Sequence, residues 1–219
     1  MTGAREGGRL AVMMVDRAAT IEDVLGFWLE PKPDTEETAL ASMRRWFNGG
    51  PELDREITAR FATLVERARR GELDAWTQTF RGTLALVILL DQFMRNIYRG
   101  APTAFTADPK AFAIANEGFA RGDFEDADSL ELMFLALPLT HAEDLDAQRR
   151  AVAIAQRAAL FCAPAWRKVL TTAVDYARKH LDVIARFGRF PHRNPVLGRA
   201  STTAETEYLE YLRAVGQWM

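Results

Sequence analysis

Apolar residues recur at the spacing of an α-helix along almost the whole chain, and this pattern limits the folds open to it. In the segment before Gly71, for example, Ile57, Phe61, Leu64 and Ala68 fall on one face of a predicted helix. No segment shows the alternating, β-branched pattern of a β-strand. The sequence therefore predicts an all-α fold.

Capping residues, prolines and glycines divide this pattern into about nine helices. Thr20 and Asp23 have the spacing of a capping pair, and Asp108 with the proline after it and Gly122 marks the two ends of another helix. Short connections between helices favour antiparallel helical hairpins. The predicted helices cover residues 21–29, 36–47, 51–70, 78–98, 108–121, 129–137, 142–161, 165–186 and 203–215.

One helix should lie at the centre of the core. The run from Leu84 to Leu90 is apolar on every side, so the predicted helix 78–98 needs neighbours all around it. A chain of 219 residues that is 48% hydrophobic can bury the core of one domain. We expect residues 1–18 to be a loose leader without a convincing cleavage site, and residues 19–219 to be a single helical domain.

Composition argues against several classes of protein. The net charge of −2 does not suggest a nucleic-acid binder, and the longest apolar run is too short to span a membrane. Cys162 is the only cysteine, so the chain has no intrachain disulfide, which is typical of a reducing compartment. The common nucleotide, hydride-transfer and acyl-transfer motifs are absent. We expect a cytoplasmic protein with no cofactor, no nucleic-acid partner and no membrane partner.

Three polar segments interrupt the apolar pattern, and the first lies at the end of the predicted helix 78–98. Asp91 and Arg95 are four residues apart, so they share a helix face and can pair. A charge on so apolar a helix needs a partner or access to water. Either this pair ties the helix to its neighbours, or Arg95 and Asn96 donate hydrogen bonds to a ligand.

The second segment follows Pro138 and contains His141, Glu143 and Asp144. Imidazole and carboxylate groups are the ordinary acids, bases and metal ligands of proteins. A structural interpretation competes, because Thr140 and Glu143 have the spacing of a capping box and Asp144 suits the first turn of a helix.

The third segment joins His180 to the loop 186–199, which carries four arginines, a histidine and an asparagine among glycines and prolines. Arginine forks pair with carboxylate or phosphate, and such a loop can aim several donors at one point. The acidic segment 123–146 offers the loop a partner within the chain. The three histidines have no metal-site spacing, and we expect no metal.

These segments resemble a bacterial family catalogued as domain of unknown function 924 (DUF924), over about Val24 to Leu212. The resemblance implies antiparallel helix pairs stacked as in tetratricopeptide-repeat proteins, and it brings no activity or catalytic residue. Met94 replaces the usual proline of the family, and Ala142 its usual serine. The matching motifs are Phe27-Trp28, Arg45-Trp-Phe47, Asp54 with Arg60-Phe61, and the segments 89–100, 138–144, 186–194 and 197–199.

Three hypotheses for function follow. In the first, which we favour, the polar segments form a groove that binds an anionic small molecule or a peptide carboxylate. In the second, a histidine is the general acid or base of a hydrolase acting on a phosphorylated or carboxylated substrate, oriented by Glu143 or Asp144. In the third, the polar groups satisfy one another, and the protein is a scaffold for partner proteins. The candidate ligand-binding residues are Asp91, Arg95, Asn96, His141, Asp144, His180, Arg189, His192, Arg193, Asn194 and Arg199, and the candidate catalytic residues are His141, Glu143 and His192.

Overall fold

The structure, a computed structural model, describes residues 19–216, and within this range it contains nine α-helices and no β-strand. The predicted all-α fold with about nine helices is confirmed, and the leader predicted for residues 1–18 lies outside the described residues. The helices are α1 (Ile21–Leu29), α2 (Glu36–Asn48), α3 (Gly50–Arg69), α4 (Phe80 to Ile97), α5 (Asp108–Arg121), α6 (Ser129–Thr140), α7 (Leu145–Phe161), α8 (Arg167–Phe187) and α9 (Thr203–Ala214).

Helix α4 is continuous but changes its winding in the middle. It is α-helical over Phe80–Val87, π-helical over Ile88–Phe93 and α-helical again over Met94–Ile97. A π-helical stretch places an extra residue in the turn, and such stretches occur frequently at functional sites. The sequence pattern predicted an ordinary α-helix here. The π-helical stretch contains Asp91 and Gln92, and both side chains are buried.

The core forms around α4, as the sequence predicted. Every residue from Leu84 to Leu90 is at most 1% exposed. The rings of Phe27, Phe61 and Trp28 pack against Phe93 with centroid distances of 5.0 to 6.0 Å. Among the described residues, no helix is both long enough and apolar enough to cross a membrane.

Consecutive helices pack as neighbours in the second half of the chain. Helix α7 contacts both α6 and α8, and α8 also contacts α2 and α6. Four short 3₁₀ segments connect or extend the helices, at Asp74–Gln78, Pro102–Phe105, Pro164–Trp166 and Pro191–Arg193. This arrangement brings the end of α6 next to α8 and next to the loop 188–202 that follows α8.

The predicted capping box at Thr140 and Glu143 is wrong. The Thr140 hydroxyl donates to a backbone carbonyl one turn earlier, and α6 continues through this residue. Helix α7 begins at residue 145, with Asp144 as its N-cap. The physical reason is the Gln148 side-chain amide, which donates to the carbonyl of Thr140 at 2.7 Å and to two nearby carbonyls, and so closes the end of α6.

Two helical glycines provide a matched test of the packing. A Cβ atom at Gly118 in α5 would lie 2.2 Å from the buried ring of Phe124, whereas a Cβ atom at Gly26 in α1 would have no heavy atom within 4 Å. We expect Gly118→Ala to lower the free energy of unfolding by about 1 to 3 kcal/mol through overpacking. Gly26→Ala should raise it by about 0.5 to 1 kcal/mol through helix propensity. Urea unfolding followed by circular dichroism measures both, and equal effects would contradict this packing.

Candidate functional site

A buried carboxylate, Asp91, lies at the centre of the polar groups. It is 1% exposed, and its Oδ1 atom is 3.0 Å from Arg95 Nη1 and 2.7 Å from His141 Nδ1. The Gln92 amide donates to Oδ2 at 2.6 Å. Burial alone would raise the pKa of Asp91, but the charge of Arg95 and the hydrogen bonds from His141 and Gln92 hold this pKa well below its usual range. Asp91 is therefore an anion at neutral pH.

His141 follows the last residue of α6, and its ring orientation is fixed by Asp91. Burial, helped by the charge of Arg95, lowers the pKa of His141 from 6.5 to about 4, so the ring is neutral at pH 7. Because Nδ1 contacts an anionic acceptor, we assign the ring proton to Nδ1. The Nε2 atom then carries a lone pair, and it makes no hydrogen bond to any described residue. The side chain is 16% exposed.

A second neutral imidazole lies nearby on α8. The His180 Nδ1 atom donates to the Tyr176 carbonyl oxygen at 2.8 Å, which leaves its Nε2 atom as an acceptor. Burial lowers the pKa of His180 to about 4. The ring centroids of His180 and His141 are 6.4 Å apart, so both rings can contact one small molecule.

Both histidines line a pocket of about 480 Å³ between α2, α6, α7 and α8. Most of the other lining residues are apolar, among them Met43, Leu137 and Leu170. Pockets of this size and composition, with a few polar groups, are typical of small-molecule sites. The polar lining residues are Arg44, Asn48, Thr140, His141, Thr172, Tyr176 and His180.

Two arginines, Arg95 and Arg193, contact the same carboxylate, that of Asp108. The Asp108 Oδ2 atom is 3.0 Å from Arg95 Nη2 and 3.3 Å from Arg193 Nη1. Arg193 also donates to the His141 carbonyl oxygen at 3.2 Å, and its guanidinium lies 4.6 Å from the centroid of the Phe190 ring. Burial lowers the pKa of Arg193 to about 10, so the side chain stays charged at pH 7. These contacts connect α4, α5, the end of α6 and the loop after α8.

Two more of the four arginines in residues 186–199 pair with carboxylates, whereas Arg186 contacts the rings of Phe187 and Tyr208. Arg189 binds both oxygens of Glu205, at 2.6 and 2.8 Å, and this pairing lowers the pKa of Glu205 to about 2. Arg199 binds both oxygens of Glu143, at 2.6 and 2.9 Å. Asn194 is fully buried and bonds to Arg199 and Glu205. The loop is thus held by internal ion pairs.

The structure brings together residues from all three polar segments, although they are far apart in sequence. The shared contacts are the Asp91–His141 hydrogen bond, the two ion pairs of Asp108 and the packing of the two histidine rings. The predicted site residues that meet in this cluster are Asp91, Arg95, His141, His180 and Arg193.

Other predicted site residues lie elsewhere. Asn96 donates to Asp54 at 2.8 Å, on the side of α4 that faces α3. Asp144 caps α7. His192 is an exposed residue of the loop 188–202, with its ring centroid 5.6 Å from that of Phe190. Glu143, Arg189, Asn194 and Arg199 belong to the loop ion pairs described above. Within residues 19–216, no group of three or more potential ligands has the geometry of a metal site.

Sequence reasoning missed several members of the site. Asp108 was predicted as a helix cap, but its carboxylate receives two arginines and makes no capping hydrogen bond. Within the acidic segment 123–146, only Glu143 is seen to pair with the loop in the described structure; Asp108 and Glu205 lie outside that segment. Arg44 sits on an ordinary amphipathic helix, and no local signal marks it.

The comparisons with known proteins agree with the fold. The sequence matches the model of a family described as bacterial protein of unknown function (DUF924) over residues 24–212. A solved structure of a protein of unknown function from Agrobacterium tumefaciens is similar, with 35% sequence identity and a TM-score of 0.72 over 87% of this chain and 97% of that chain. No curated protein matches significantly.

Removing Arg193 should be costly for stability. Arg193 is 6% exposed, and its loss leaves Asp108 and the His141 carbonyl with one partner fewer in a buried place. We expect Arg193→Ala to lower the free energy of unfolding by about 3 kcal/mol or more, measured by urea unfolding. The exposed control Arg178→Ala should change it by less than about 0.5 kcal/mol. Equal, small losses in both variants would contradict a structural role for Arg193.

The buried histidines should make the protein sensitive to mild acid. The pKa of His141 is about 4 in the folded protein and 6.5 when unperturbed, so the unfolded chain binds a proton that the folded protein does not. Stability from this group is therefore complete above pH 6.5 and falls as the pH drops toward 4, by at most about 3 kcal/mol. Urea unfolding across this range measures the slope.

Substitution of His141 tests how much of this pH dependence of stability comes from its ring. His141→Gln removes the titrating group but keeps a side-chain amide that can donate to Asp91, and we expect a clearly shallower loss of stability with acid. His192→Gln should have a smaller effect, because His192 is exposed and solvent screens its interactions, although its pKa is also lowered. An unchanged slope in His141→Gln would contradict the neutral, buried state of this ring.

Proposed function

This chain belongs to the bacterial protein family of unknown function DUF924, and from that premise we propose that it binds a small organic acid in the pocket between α2, α6, α7 and α8. The observation that carries this proposal is an arginine without a partner at a pocket that is otherwise mostly apolar. The ligand would have an apolar body and a single negative charge.

Arg44 supplies the cation. It lines the pocket, it is exposed, and it makes no hydrogen bond or ion pair with any residue of the described range. A guanidinium that is free of internal partners can bind a carboxylate in the bidentate geometry that arginine favours. The apolar walls, including Leu40 and Met43 beside Arg44, suit the hydrocarbon part of such an acid.

The arginines of the loop are less suited to this role. Arg189 and Arg199 are each engaged with both oxygens of a carboxylate, and Arg193 is buried against Asp108. A ligand anion would have to displace these partners, and at Arg189 it would leave the buried Glu205 carboxylate uncompensated. We therefore move the anion site proposed from the sequence to Arg44.

The two histidines would contact the ligand beside its carboxylate. His141 and His180 are neutral, and each offers the lone pair of an Nε2 atom as an acceptor. A hydroxyl or amide group on the ligand, or a bound water, can donate to them. The pocket volume of about 480 Å³ favours a small molecule over a peptide end that presents the same carboxylate.

A cytoplasmic location remains a prediction from the single cysteine.

Binding can be tested with a series of carboxylic acids. We would titrate the full chain with straight-chain and aromatic monocarboxylates, and with the matched alcohols, by isothermal titration calorimetry. Acids should bind saturably, and an acid at 100 times its Kd should stabilise the fold by about 2.7 kcal/mol. Arg44→Gln should weaken acid binding by about tenfold or more, because it removes a charge-assisted hydrogen bond.

Two controls identify the site. Arg55→Gln changes another exposed arginine that makes no ion pair in the described structure and lies outside the pocket, and it should leave the Kd unchanged. The alcohols should bind equally to the wild type and to Arg44→Gln. The proposal is wrong if no acid binds, or if Arg44→Gln binds acids as tightly as the wild type does.

A further inference from the structure

We propose that Asp91 and His141 form a general-base pair that directs a water molecule onto a carboxylic ester bound in the same pocket. The inference rests on the proposed function, because the acid that the pocket binds would be the product of this hydrolysis. His141 would touch the attacking water and is the catalytic residue, whereas Asp91 acts through His141 and is a positioning residue.

The geometry of the pair holds the His141 ring in one orientation and one tautomer. The Asp91 carboxylate fixes Nδ1 of His141 at 2.7 Å, and His141 lines the pocket with its Nε2 lone pair free of protein partners in the described structure. A neutral imidazole held in one tautomer by a buried carboxylate can accept a proton, and the carboxylate stabilises the imidazolium that forms.

The environment of Asp91 supports a function beyond anchoring. Arg95 already balances its charge, so the hydrogen bond from neutral His141 adds no charge compensation. Asp91 also lies in the π-helical stretch of α4, and such irregularities in helices are frequent at functional sites. Burial of the Asp91 carboxylate costs desolvation free energy. The buried carboxylate contacts the His141 ring, which lines the pocket.

A water molecule, rather than a protein nucleophile, would attack the ester. Within residues 19–216, no serine or cysteine lines the pocket, and both of its threonine hydroxyls donate to backbone carbonyls, Thr140 to Ala136 and Thr172 to Lys168. A direct attack by water needs one base that takes a proton and later returns it. His180, with its acceptor Nε2, can hold the second hydrogen of that water.

The steps balance without any oxidant or further reactant. The water oxygen bonds to the acyl carbon while its proton passes to His141 Nε2, and the carbonyl oxygen becomes an oxyanion. Collapse of this intermediate breaks the bond to the leaving alkoxide, which takes the proton back from His141. The net reaction converts ester and water into acid and alcohol. The Tyr176 hydroxyl and the Asn48 amide, which have no hydrogen-bond partner among the described residues, are the donors available to the oxyanion.

The charges of the pocket favour a carboxylic ester over a phosphate ester. Arg44 is the only lysine or arginine among the lining residues that the structure describes, and the two histidines are neutral. One guanidinium matches the single charge of a carboxylate product. A phosphate monoester carries about two charges at pH 7 and would face apolar walls with one of them uncompensated.

Hydrolysis of p-nitrophenyl esters with acyl chains of increasing length tests the inference on the full chain. We expect turnover by the wild type and a loss of about 100-fold or more in kcat for His141→Gln. The Kd of that variant for the product acid should stay within about threefold of the wild-type value, because Arg44 carries the charge recognition. Arg178→Gln, an exposed change on α8, should keep the wild-type kcat.

The dependence of kcat on pH distinguishes a catalytic role of His141 from a structural one. His141 is faced by Asp91 and Arg95 from α4, Asp108 from α5, His180 from α8 and Arg193 from the loop. With a base whose pKa is lowered to about 4, kcat should stay constant from neutral pH down to about 5 and fall in stronger acid. A folded Asp91→Asn variant should have a lower kcat, and its kcat should begin to fall at a different pH.

The outcomes separate the two proposals. If acids bind at Arg44 but the wild type hydrolyses esters no faster than His141→Gln does, the general-base inference is wrong and the binding proposal stands. If acids do not bind, the proposed function fails, and the inference that rests on it fails as well. Turnover that depends on His141, with the expected pH profile, supports both.

Discussion

The arrangement of the polar groups depends on one constraint, which is that the central helix α4 contains a buried anion. Asp91 is 1% exposed, and the buried apolar residues Leu90 and Phe93 lie close to it in the same helix. An unpaired carboxylate in such a place would cost several kcal/mol, so the fold must bring donors to it. Arg95 comes from the same helix, and His141 comes from the end of α6. The position of α6 relative to α4 is thereby linked to the charge of Asp91.

The loop after α8 extends the same network outward. Arg193 contacts Asp108 and the backbone carbonyl of His141, so the loop supports the residue that carries the imidazole. Two further arginines pair with Glu143 and Glu205 and fix the loop on both sides. The segment that looked most like a ligand site in the sequence therefore acts as a support. The pocket that remains open is lined by the two histidines and by Arg44, which has no partner among residues 19–216.

Much of the fold could be predicted from the sequence, because helix periodicity and caps are local properties. Thr20 with Asp23 forms the expected capping box, and the run from Leu84 to Leu90 is the buried centre. The start of α7 was misplaced because a tertiary contact, the Gln148 side chain on the end of α6, decides it. The π-helical turn around Asp91 has no signature in the pattern. The resemblance to DUF924 was correct as a family, whereas the likeness to tetratricopeptide repeats remains a prediction.

The site was less predictable, since which charges meet is a question of three-dimensional placement. The sequence identified Asp91, Arg95, His141, His180 and Arg193 by residue type, and these residues do converge, but it paired His141 with the wrong carboxylates. An arginine is informative only once its partners are known. Arg189, Arg193 and Arg199 are paired with carboxylates, whereas Arg44 is free of partners among the described residues. Ligand recognition needs unsatisfied groups, and folding tends to satisfy the groups that lie close together. Among the described residues of the pocket, the groups left over are one guanidinium, two imidazole nitrogens, the Tyr176 hydroxyl and the Asn48 amide, so the chemistry of the pocket must be argued from them.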